Sequence, residues 1–454
     1  MSGGAPGHGS GAGPEGGAGR GEGDVSRGVV RPSAAARRAG PGTAPVGAVR
    51  AVALALAVVL AATLLAGCWD RREIERLAIV AGIGLDLQPD GSLLLVAQVV
   101  KPALVRTQGQ AGMGSPRAVS LASSTGPTVA AATRALCQVA GRRPFWGHAR
   151  ILVVGEELAR AGLADVMDWF FRQREPRPRT RVLVARGRAA DLLAAESELE
   201  KLPAVALDNV LELQSATTLA PDTTLHRFVR DLTTPGKDPL VAAAAVVSRT
   251  AQAGFPGMEG RPPEAQEPAA EKEGEERRFD VRGSAVFRGD RLVGWMDEVE
   301  TRATLWVAGA GRRATVVVPG PAGSGQGSTV EVLRAAPKVK IHEEGGRLVL
   351  TVSLECRAVL SEELRGPDVT VRGALEDVER RLERVLAADI AAAFRKARSL
   401  RADPFGLGFT LCTRYPKLWE KYQDFWPDAL ASAEVRISVK ARIVRTGLVL
   451  KAPR

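Results

Sequence analysis

Apolar and polar positions in the first half of the chain follow patterns that predict both strands and helices. Two apolar runs, at 79–87 and 93–100, are joined by the turn signal Gln88-Pro89-Asp90-Gly91 and therefore predict a β-hairpin. A strand, an amphipathic helix and a second strand are predicted next, in this order: 149–154, 156–171 and 181–185. This order indicates a partly parallel sheet. Further helices are predicted at 128–139, 191–200 and 225–233.

The second half of the chain shows the same two periodicities over longer segments. Short apolar runs around a Gly-Asp turn predict a hairpin at 281–295, and further strands are predicted at 330–341 and 348–354. Apolar residues recur at helical spacing through 375–394, opposite a face of paired Glu and Arg side chains. Strict alternation through 435–443 predicts a half-exposed strand.

These patterns predict an α+β protein with several domains of mixed sheets and packed helices. The segment 251–278 is rich in Pro, Gly and Glu, and it predicts a linker. The linker would separate an N-terminal α+β region (68–250) from a C-terminal α+β domain (279–450). Residues 1–49 have almost no large apolar side chain, which is typical of a disordered leader.

Residues 50–67 have the layout of a lipoprotein signal peptide. Arg50 precedes an uncharged apolar run at 51–66, and the small residues Ala66 and Gly67 lead to Cys68. Small residues before a cysteine resemble a lipobox, so we expect cleavage between Gly67 and Cys68 and lipidation of the Cys68 thiol. The two acyl chains of a diacylglycerol hold a protein stably on a membrane. The alternative is an uncleaved signal anchor with a chance cysteine.

Charge and composition narrow the class of partner. The net charge of +11 suits either a nucleic acid or an anionic lipid surface. An exported protein rarely meets nucleic acid, so we predict no nucleic-acid partner and favour attraction to lipid headgroups.

The sequence offers no constellation typical of an active site or a metal centre. No pair of its four histidines has the helical spacing of metal ligands: His8, His148, His226 and His342. The remaining cysteines are predicted to be buried free thiols: Cys137, Cys356 and Cys412. The glycine-rich loop 320–325 has Gln326 where a phosphate loop has lysine, and no nucleophile-elbow motif occurs. We therefore predict no enzyme activity, no catalytic residue, no metal and no cofactor.

A series of short motifs runs through nearly the whole mature chain, beginning with Cys68-Trp69-Asp70-Arg71-Arg72-Glu73-Ile74-Glu75. The others follow in chain order: Ala81-Gly82-Ile83-Gly84-Leu85-Asp86, Phe145-Trp146-Gly147-His148, Gly155-Glu156-Glu157-Leu158-Ala159, Ser284-Ala285-Val286-Phe287, Asp290-Arg291-Leu292-Val293-Gly294-Trp295, Glu300-Thr301-Arg302, Asp403-Pro404-Phe405-Gly406-Leu407-Gly408, Tyr415-Pro416 and Arg445-Thr446-Gly447. No single motif is diagnostic. The ordered set resembles the C subunit of spore germinant receptors, the Ger(x)C lipoproteins of endospore-forming bacteria.

This resemblance implies a multi-domain α+β lipoprotein on the outer face of the spore inner membrane. Such a subunit would work with two integral membrane subunits, one of them permease-like, in a receptor that senses small germinants. The family has no established catalytic residues, and no germinant-binding residue is implied for this chain. The chain departs from the family pattern in its leader, in its linker and at Pro404.

Three tryptophans are candidate partner contacts, because Trp favours interfaces. Trp146 lies beside Phe145 before a strand, and Trp419 and Trp426 belong to a stripe of aromatic residues at seven-residue spacing. Core packing is the alternative for all three rings.

Two other classes of protein are rivals. A lipid-anchored solute-binding protein of a transporter would show two similar strand–helix lobes, whereas the halves of this sequence differ. An extracytoplasmic lipoprotein enzyme, such as a cell-wall hydrolase, would show a deep pocket with convergent carboxylates.

Overall fold

The computed structural model of the protein describes residues 46–65, 76–106, 118–195, 197, 200–248, 277–320, 327–363 and 373–446. The chain divides into two units, one up to Arg71 and a compact one from Arg72 to Arg454. The predicted cleavage and lipidation site at Gly67 and Cys68, most of the leader and most of the predicted linker lie outside the described residues.

The first unit contains helix α1 (Val46–Leu65), whose Val and Leu side chains are exposed over the part where they are described. The helix begins inside the segment predicted as leader, so residues 46–49 are helical. Among the residues that the structure describes, none of the helices combines the length and apolarity required to span a bilayer.

A large mixed sheet organises the first part of the compact unit. Its strands in the described residues are β1 (Leu77–Leu87), β2 (Leu93–Val100), β3 (Val119–Gly126), β4 (Arg143–Phe145), β5 (Ile151–Val154), β6 (Arg181–Ala185), β7 (Leu240–Ser248), β8 (Arg277–Arg288) and β9 (Arg291–Met296). They lie in the order β3-β2-β1-β5-β6-β7-β8-β9, and β4 pairs with β1. The predicted hairpin of β1 and β2 is confirmed, and so is the partly parallel sheet, since β5 and β6 pair in parallel. β5 also pairs in parallel with β1.

The helices of this part of the chain are α2 (Pro102–Arg106), α3 (Val129–Ala140), α4 (Glu156–Ala161), α5 (Ala164–Arg172), α6 (Ala189–Ala194), α7 (Pro203–Thr217) and α8 (Leu225–Thr233). Those from α3 to α8 cover both faces of the first sheet. One core packs α3, α4, α5 and α8 against the sheet, for example through Leu136, Phe170 and Phe228. A second core packs α6 and α7 on the opposite face through Leu193 and Leu207. The result is a sheet between two helical layers.

A second, smaller sheet follows. Its described strands are β10 (Ala314–Pro319), β11 (Gly327–Glu344), β12 (Arg347–Glu363) and β13 (Glu434–Arg445), in that order, with β13 parallel to β12. The associated helices are α9 (Glu298–Val307), α10 (Ala374–Leu400), α11 (Leu407–Arg414), α12 (Pro416–Tyr422) and α13 (Trp426–Ser432). The long helix α10 buries its predicted apolar face in the core of this sheet. The prediction of an α+β protein with mixed sheets and packed helices is thus confirmed.

The predicted helix at 156–171 is two helices, because the chain breaks at Gly162. This glycine has φ 127°, a conformation that side chains with a Cβ rarely adopt. The break docks onto the β8–β9 turn, where the backbone N–H of Leu163 donates to the carbonyl oxygen of Asp290 at 3.0 Å. The N–H of Ala164 donates to the Asp290 carboxylate at 3.1 Å.

The segment predicted to divide the chain lies between two hydrogen-bonded strands. β7 precedes it and β8 follows it, and the two pair antiparallel from Leu240 and Val286 to Ser248 and Arg277. The hairpin of β8 and β9, assigned by sequence to the C-terminal domain, therefore completes the first sheet. The domain bounds themselves stay a prediction.

Asp86 ties the first sheet to its helices. Its side chain is 3% exposed and accepts hydrogen bonds from the backbone N–H groups of Ala189 at 2.7 Å and Ala190 at 3.0 Å, at the start of α6. The adjoining Gly82 and Gly84 allow close approach, because a Cβ on either would lie under 3.0 Å from Ala204 or Leu193. The motif containing these residues is therefore a packing motif.

We predict that Asp86→Ala lowers the free energy of unfolding by about 2–3 kcal/mol, since it leaves two N–H donors of a helix start without an acceptor. Urea unfolding followed by circular dichroism measures this. Asp90→Ala is the control, because Asp90 is exposed and accepts only within its own turn, from Ser92 at 2.9 Å. An equal loss in both variants would contradict the assignment.

Candidate functional site

The buried carboxylate of Asp403 gathers three elements of the C-terminal region. It lies in the loop between α10 and α11 and is 1% exposed. One carboxylate oxygen accepts from the N–H of Gly406 at 2.9 Å. The other accepts from the N–H of Gly408 at 2.8 Å and from the indole Nε1 of Trp426 at 3.1 Å. Asp403 thereby fixes the start of α11 and holds α13 beside it.

Asp238 connects this loop to the first sheet. It lies in the α8–β7 loop, and its carboxylate accepts from the N–H of Asp403 at 2.7 Å and from the N–H of Gly289 at 2.9 Å. Its own N–H donates to the carbonyl oxygen of Asp403 at 3.0 Å. Two aspartates thus join the α8–β7 loop, the β8–β9 turn and the α10–α11 loop.

Two glycines complete this junction by letting two backbones meet. A Cβ on Gly408 would lie 2.6 Å from the Cα of Gly236, and a Cβ on Gly236 would lie 2.6 Å from the Cα of Gly408. The N–H of Phe409 donates to the carbonyl oxygen of Gly236 at 3.1 Å. Gly236 also has φ 65°, in the left-handed region that favours glycine. We call Asp238, Asp403, Gly236 and Gly408 the aspartate junction.

The electrostatics of the junction follow from its burial. Loss of water raises the pKa of Asp403 to about 6, although its N–H donors favour the ionised form and lower it. Burial likewise raises the pKa of Asp238. Among the described residues, the hydrogen-bond partners of Asp403 are backbone groups and an indole, so the buried carboxylate holds these elements together.

A second buried ionic contact supports the smaller sheet. Arg302 on α9 is 3% exposed, and its Nη2 lies 2.8 Å from a carboxylate oxygen of Asp389 on α10. Its guanidinium also stands over the Trp306 ring at 5.6 Å. The preceding Thr301 shares a 2.8 Å hydroxyl hydrogen bond with Ser284 of β8. The Glu300-Thr301-Arg302 motif therefore joins α9 to α10 and to the first sheet.

The three candidate tryptophans occupy different environments. Trp146 is 4% exposed and packs edge-on against Trp169, and Trp426 is 5% exposed and hydrogen-bonded to Asp403. Both rings lie in the core, which is the alternative that the sequence left open. Trp419 is half-buried and packs edge-on against Trp426 at 5.7 Å. Contact of these rings with a partner stays a prediction.

Other aromatic rings in the same region are exposed. Phe409 and Phe425 are each 45% exposed and Tyr415 is 37% exposed, all between 407 and 426. The aromatic spacing of the sequence marked this segment but did not show which rings are outward. Asp238 carried no sequence signal, because its partner Asp403 lies far along the chain.

A metal centre and a reactive thiol are two other kinds of site to consider among the groups that the structure describes. No cluster of three or more His, Cys, Asp or Glu side chains there could hold a metal ion. Cys137, Cys356 and Cys412 are free thiols; Cys356 is buried, while the other two are half-buried. Burial raises the pKa of the Cys356 thiol to about 12, so it is not a nucleophile near neutral pH.

Comparison with known proteins gives matches along most of the compact unit. The family model described as "Spore germination protein N-terminal domain" matches residues 70–246, and "Spore germination B3/ GerAC like, C-terminal" matches 282–447. Spore germination protein KC of Bacillus subtilis (strain 168) is 25% identical over 88% of this chain and 97% of its own length. Spore germination protein B3 of the same organism is 24% identical over 85% of this chain and 96% of its own length.

A solved structure shows the same fold. The crystal structure of the GerBC protein matches with a TM-score of 0.50 and 18% sequence identity, covering 82% of this chain and 100% of that chain.

We predict that Asp403→Asn weakens the pH dependence of stability. The pKa of Asp403 is about 6 in the folded protein against an ordinary 3.8, so the folded state binds more protons between these values. The contribution of Asp403 to the free energy of unfolding of the wild type should therefore fall as the pH rises from about 4 to about 6. In Asp403→Asn this fall should be smaller, because the titrating group is gone.

At neutral pH the same variant should lose about 1–3 kcal/mol, because an amide NH₂ would face an N–H donor whichever way it turned. Urea titrations at a series of pH values measure both effects. Asp424→Asn, an identical change at an exposed position, should leave the profile unaltered. A profile of Asp403→Asn that matches the wild type would contradict the role of Asp403.

Proposed function

The chain belongs to the family of spore germination proteins defined by these two domains, the C subunits of germinant receptors, and we propose that it acts as a lipid-anchored receptor subunit in nutrient-triggered germination. The observation that carries the proposal is the succession of both family domains along one chain, with relatives matched over nearly their full length. Its partners would be two integral membrane subunits, one of them permease-like.

The anchor is proposed from the sequence at the start of the mature chain. The apolar segment that forms α1 ends shortly before Gly67 and Cys68, as expected when a signal helix precedes a lipidated cysteine. Lipidation of Cys68 would place the compact unit on the outer face of the spore inner membrane. There a tethered subunit acts on membrane partners by contact.

We propose a non-catalytic role for this subunit. The motifs that define it bury their polar groups in structural contacts, as Asp86, Asp403 and Arg302 illustrate. A lipid-anchored solute-binding protein of a transporter is the alternative. Two similar lobes would favour that alternative, whereas here the two sheets differ in size and strand order.

The contact with partners is proposed for the exposed aromatic rings between 407 and 426. Phe409 and Phe425, with the half-buried Trp419, offer the large, rigid side chains that anchor protein interfaces. They are held by the aspartate junction, because Gly408 and Trp426 both bind Asp403. Trp146 and Trp426 are too deeply buried to contribute directly.

Spores that lack this protein should fail to respond to the germinants of its receptor, because the membrane partners would lose a subunit that they contact. Loss of refractility after addition of candidate nutrients measures the response. Complementation with the wild-type chain is the control. A wild-type response from the mutant spores, in a strain without a redundant receptor, would overturn the functional proposal.

Cys68→Ala should abolish lipid labelling, because the substitution removes the thiol that would receive the diacylglycerol. The variant should leave the membrane fraction or remain as an uncleaved precursor, which immunoblotting of fractions detects. Cys412→Ala is the control, because its thiol lies within the folded C-terminal region. Normal labelling of Cys68→Ala would exclude the anchor.

The double variant Phe409→Ser and Phe425→Ser should reduce co-purification with the membrane subunits, since truncating an interface anchor costs about 2 kcal/mol or more of binding free energy. Phe171→Ser is the matched control, because Phe171 is 47% exposed on α5. Equal recovery of the partners with both proteins would contradict this interface.

A further inference from the structure

The outward face of the second sheet carries an unusual concentration of positive charge. Three arginines on adjacent strands lie in direct register: Arg334 on β11 opposite Arg357 on β12, and Arg357 beside Arg442 on β13. Neighbouring strands are about 4.8 Å apart, so these side chains leave the sheet side by side. Like charges in this arrangement repel and lower stability.

Burial along the strands shows which way this row faces. Arg357 is exposed between the buried Cys356 and Ala358, and Arg442 is exposed between the buried Ala441 and Ile443. The buried neighbours belong to the core beneath α10. The arginines therefore point to the side of the sheet opposite α10.

The surrounding positions extend the same charge. Outward positions pair with one another across the three strands, within 334–340 of β11, 351–357 of β12 and 436–442 of β13. Seven of these positions carry Lys or Arg, one carries Glu, and four carry Ala, Ser or Thr. Acidic partners account for two of these cations: Glu355 lies 2.8 Å from Lys338, and Arg436 pairs with Glu344 and Glu434 at 2.7 Å.

Five cations remain on what we call the cationic face: Arg334, Lys340, Arg357, Lys440 and Arg442. They form no ion pair with any residue in the part of the chain that the structure describes. Lys440 does lie near Glu355, whose pKa is lowered chiefly by Lys338 and in part by Lys440. An excess of positive charge is left without an internal partner.

The edge of the sheet beside this face is closed to a further strand. The N–H groups of Ala441 and Ile443 on the edge strand β13 donate to the carboxylates of Glu383 at 2.9 Å and Glu379 at 2.7 Å. Pairing of another strand along this stretch is thereby blocked. What the region offers to a partner is its flat face.

We propose that the cationic face docks onto the anionic phospholipid headgroups of the membrane to which the chain is tethered. The inference rests on the proposed function for the tether alone. Charge complementarity selects the occupant: arginine forks match phosphate geometry, and the charged rows contain no aromatic or large aliphatic side chain to anchor a protein partner. Each cation near an anionic surface strengthens adsorption roughly fivefold, so several cations suffice for a tethered protein.

The test uses the full-length chain in vesicles of phosphatidylcholine, with or without about one third phosphatidylglycerol. Acetylation of lysines, read by mass spectrometry, reports which surface is covered. Lys340 and Lys440 should react at least about threefold more slowly on the anionic vesicles, and the protection should disappear at high salt. Lys101, exposed beside the first sheet, should react equally on both.

The triple variant Arg334→Gln, Arg357→Gln and Arg442→Gln should lose this protection. The control with the same change of charge is Arg142→Gln, Arg174→Gln and Arg177→Gln, all exposed and outside the second sheet, and it should keep the protection. Should the first variant not fold, the lipid and salt comparisons with the wild type still decide the question.

Each other outcome overturns the inference. Equal protection on phosphatidylcholine would show that charge does not drive docking. Equal protection by inorganic phosphate at the same anion concentration would assign the face to soluble phosphates. Protection that requires added spore-membrane proteins would assign it to an acidic protein.

Flotation with the vesicles separates this inference from the tether. If the protein floats on both compositions while Lys340 and Lys440 stay reactive, the result supports the anchor and rejects docking by the cationic face. If the protein floats on anionic vesicles alone and both lysines are protected, the result supports docking by the cationic face and rejects the anchor. Failure to float on either composition rejects both.

Discussion

The paired loops of Asp238 and Asp403 are the constraint on which the arrangement of the compact unit depends. Each aspartate binds the backbone of the other: the N–H of Asp403 donates to the Asp238 carboxylate, and the N–H of Asp238 donates to the Asp403 carbonyl oxygen. The same side chains reach the β8–β9 turn and the start of α11. Removing the Asp238 carboxylate would leave the N–H groups of Asp403 and Gly289 without this acceptor. Removing the Asp403 carboxylate would do the same to the N–H groups of Gly406, Gly408 and the Trp426 indole.

Glycine makes such a junction possible, because two backbones or a helix and a strand can approach closely where no Cβ separates them. Gly236 and Gly408 let two backbones touch, while Gly82 and Gly84 let α6 and α7 settle on β1. A side chain at these positions would separate the elements by more than the hydrogen bonds can span. These glycines and the aspartates beside them thus make contacts between distant segments.

Local patterns predicted two kinds of element. Helices α8 and α10 follow from their apolar spacing, because one face of each is buried and the other is exposed. The hairpin of β1 and β2 and the strand β6 follow from continuous apolar runs, because these strands are buried on both faces of the sheet. Helix α9 was not predicted from the sequence, because its residues from Thr301 to Val307 are all buried and form no exposed polar stripe. Helix α7 was not predicted either, because its apolar residues are spread around the helix and give no one-sided pattern.

The site was harder to predict than the fold because it is built from tertiary contacts. Asp403 belongs to a recognised motif, yet its role depends on Asp238, and nothing local to Asp238 marks it. The aromatic stripe shows the same limit: Trp426, which belongs to the stripe, lies in the core, while the adjacent Phe425 is exposed, since the chain changes helix between them. Sequence spacing identifies a segment, and only the packing of that segment decides which ring a partner can reach.

Buried polar groups and exposed charges therefore perform separate tasks in this chain. The aspartate junction joins loops of the first sheet to the α10–α11 loop, and the buried Arg302–Asp389 pair joins α9 to α10. The surface carries exposed aromatic rings near α11–α13 and, across β11, β12 and β13, cations without an ion-pair partner among the described residues. A subunit that works by contact, as we propose, would need this division, because a well-packed interior holds its exposed side chains in place.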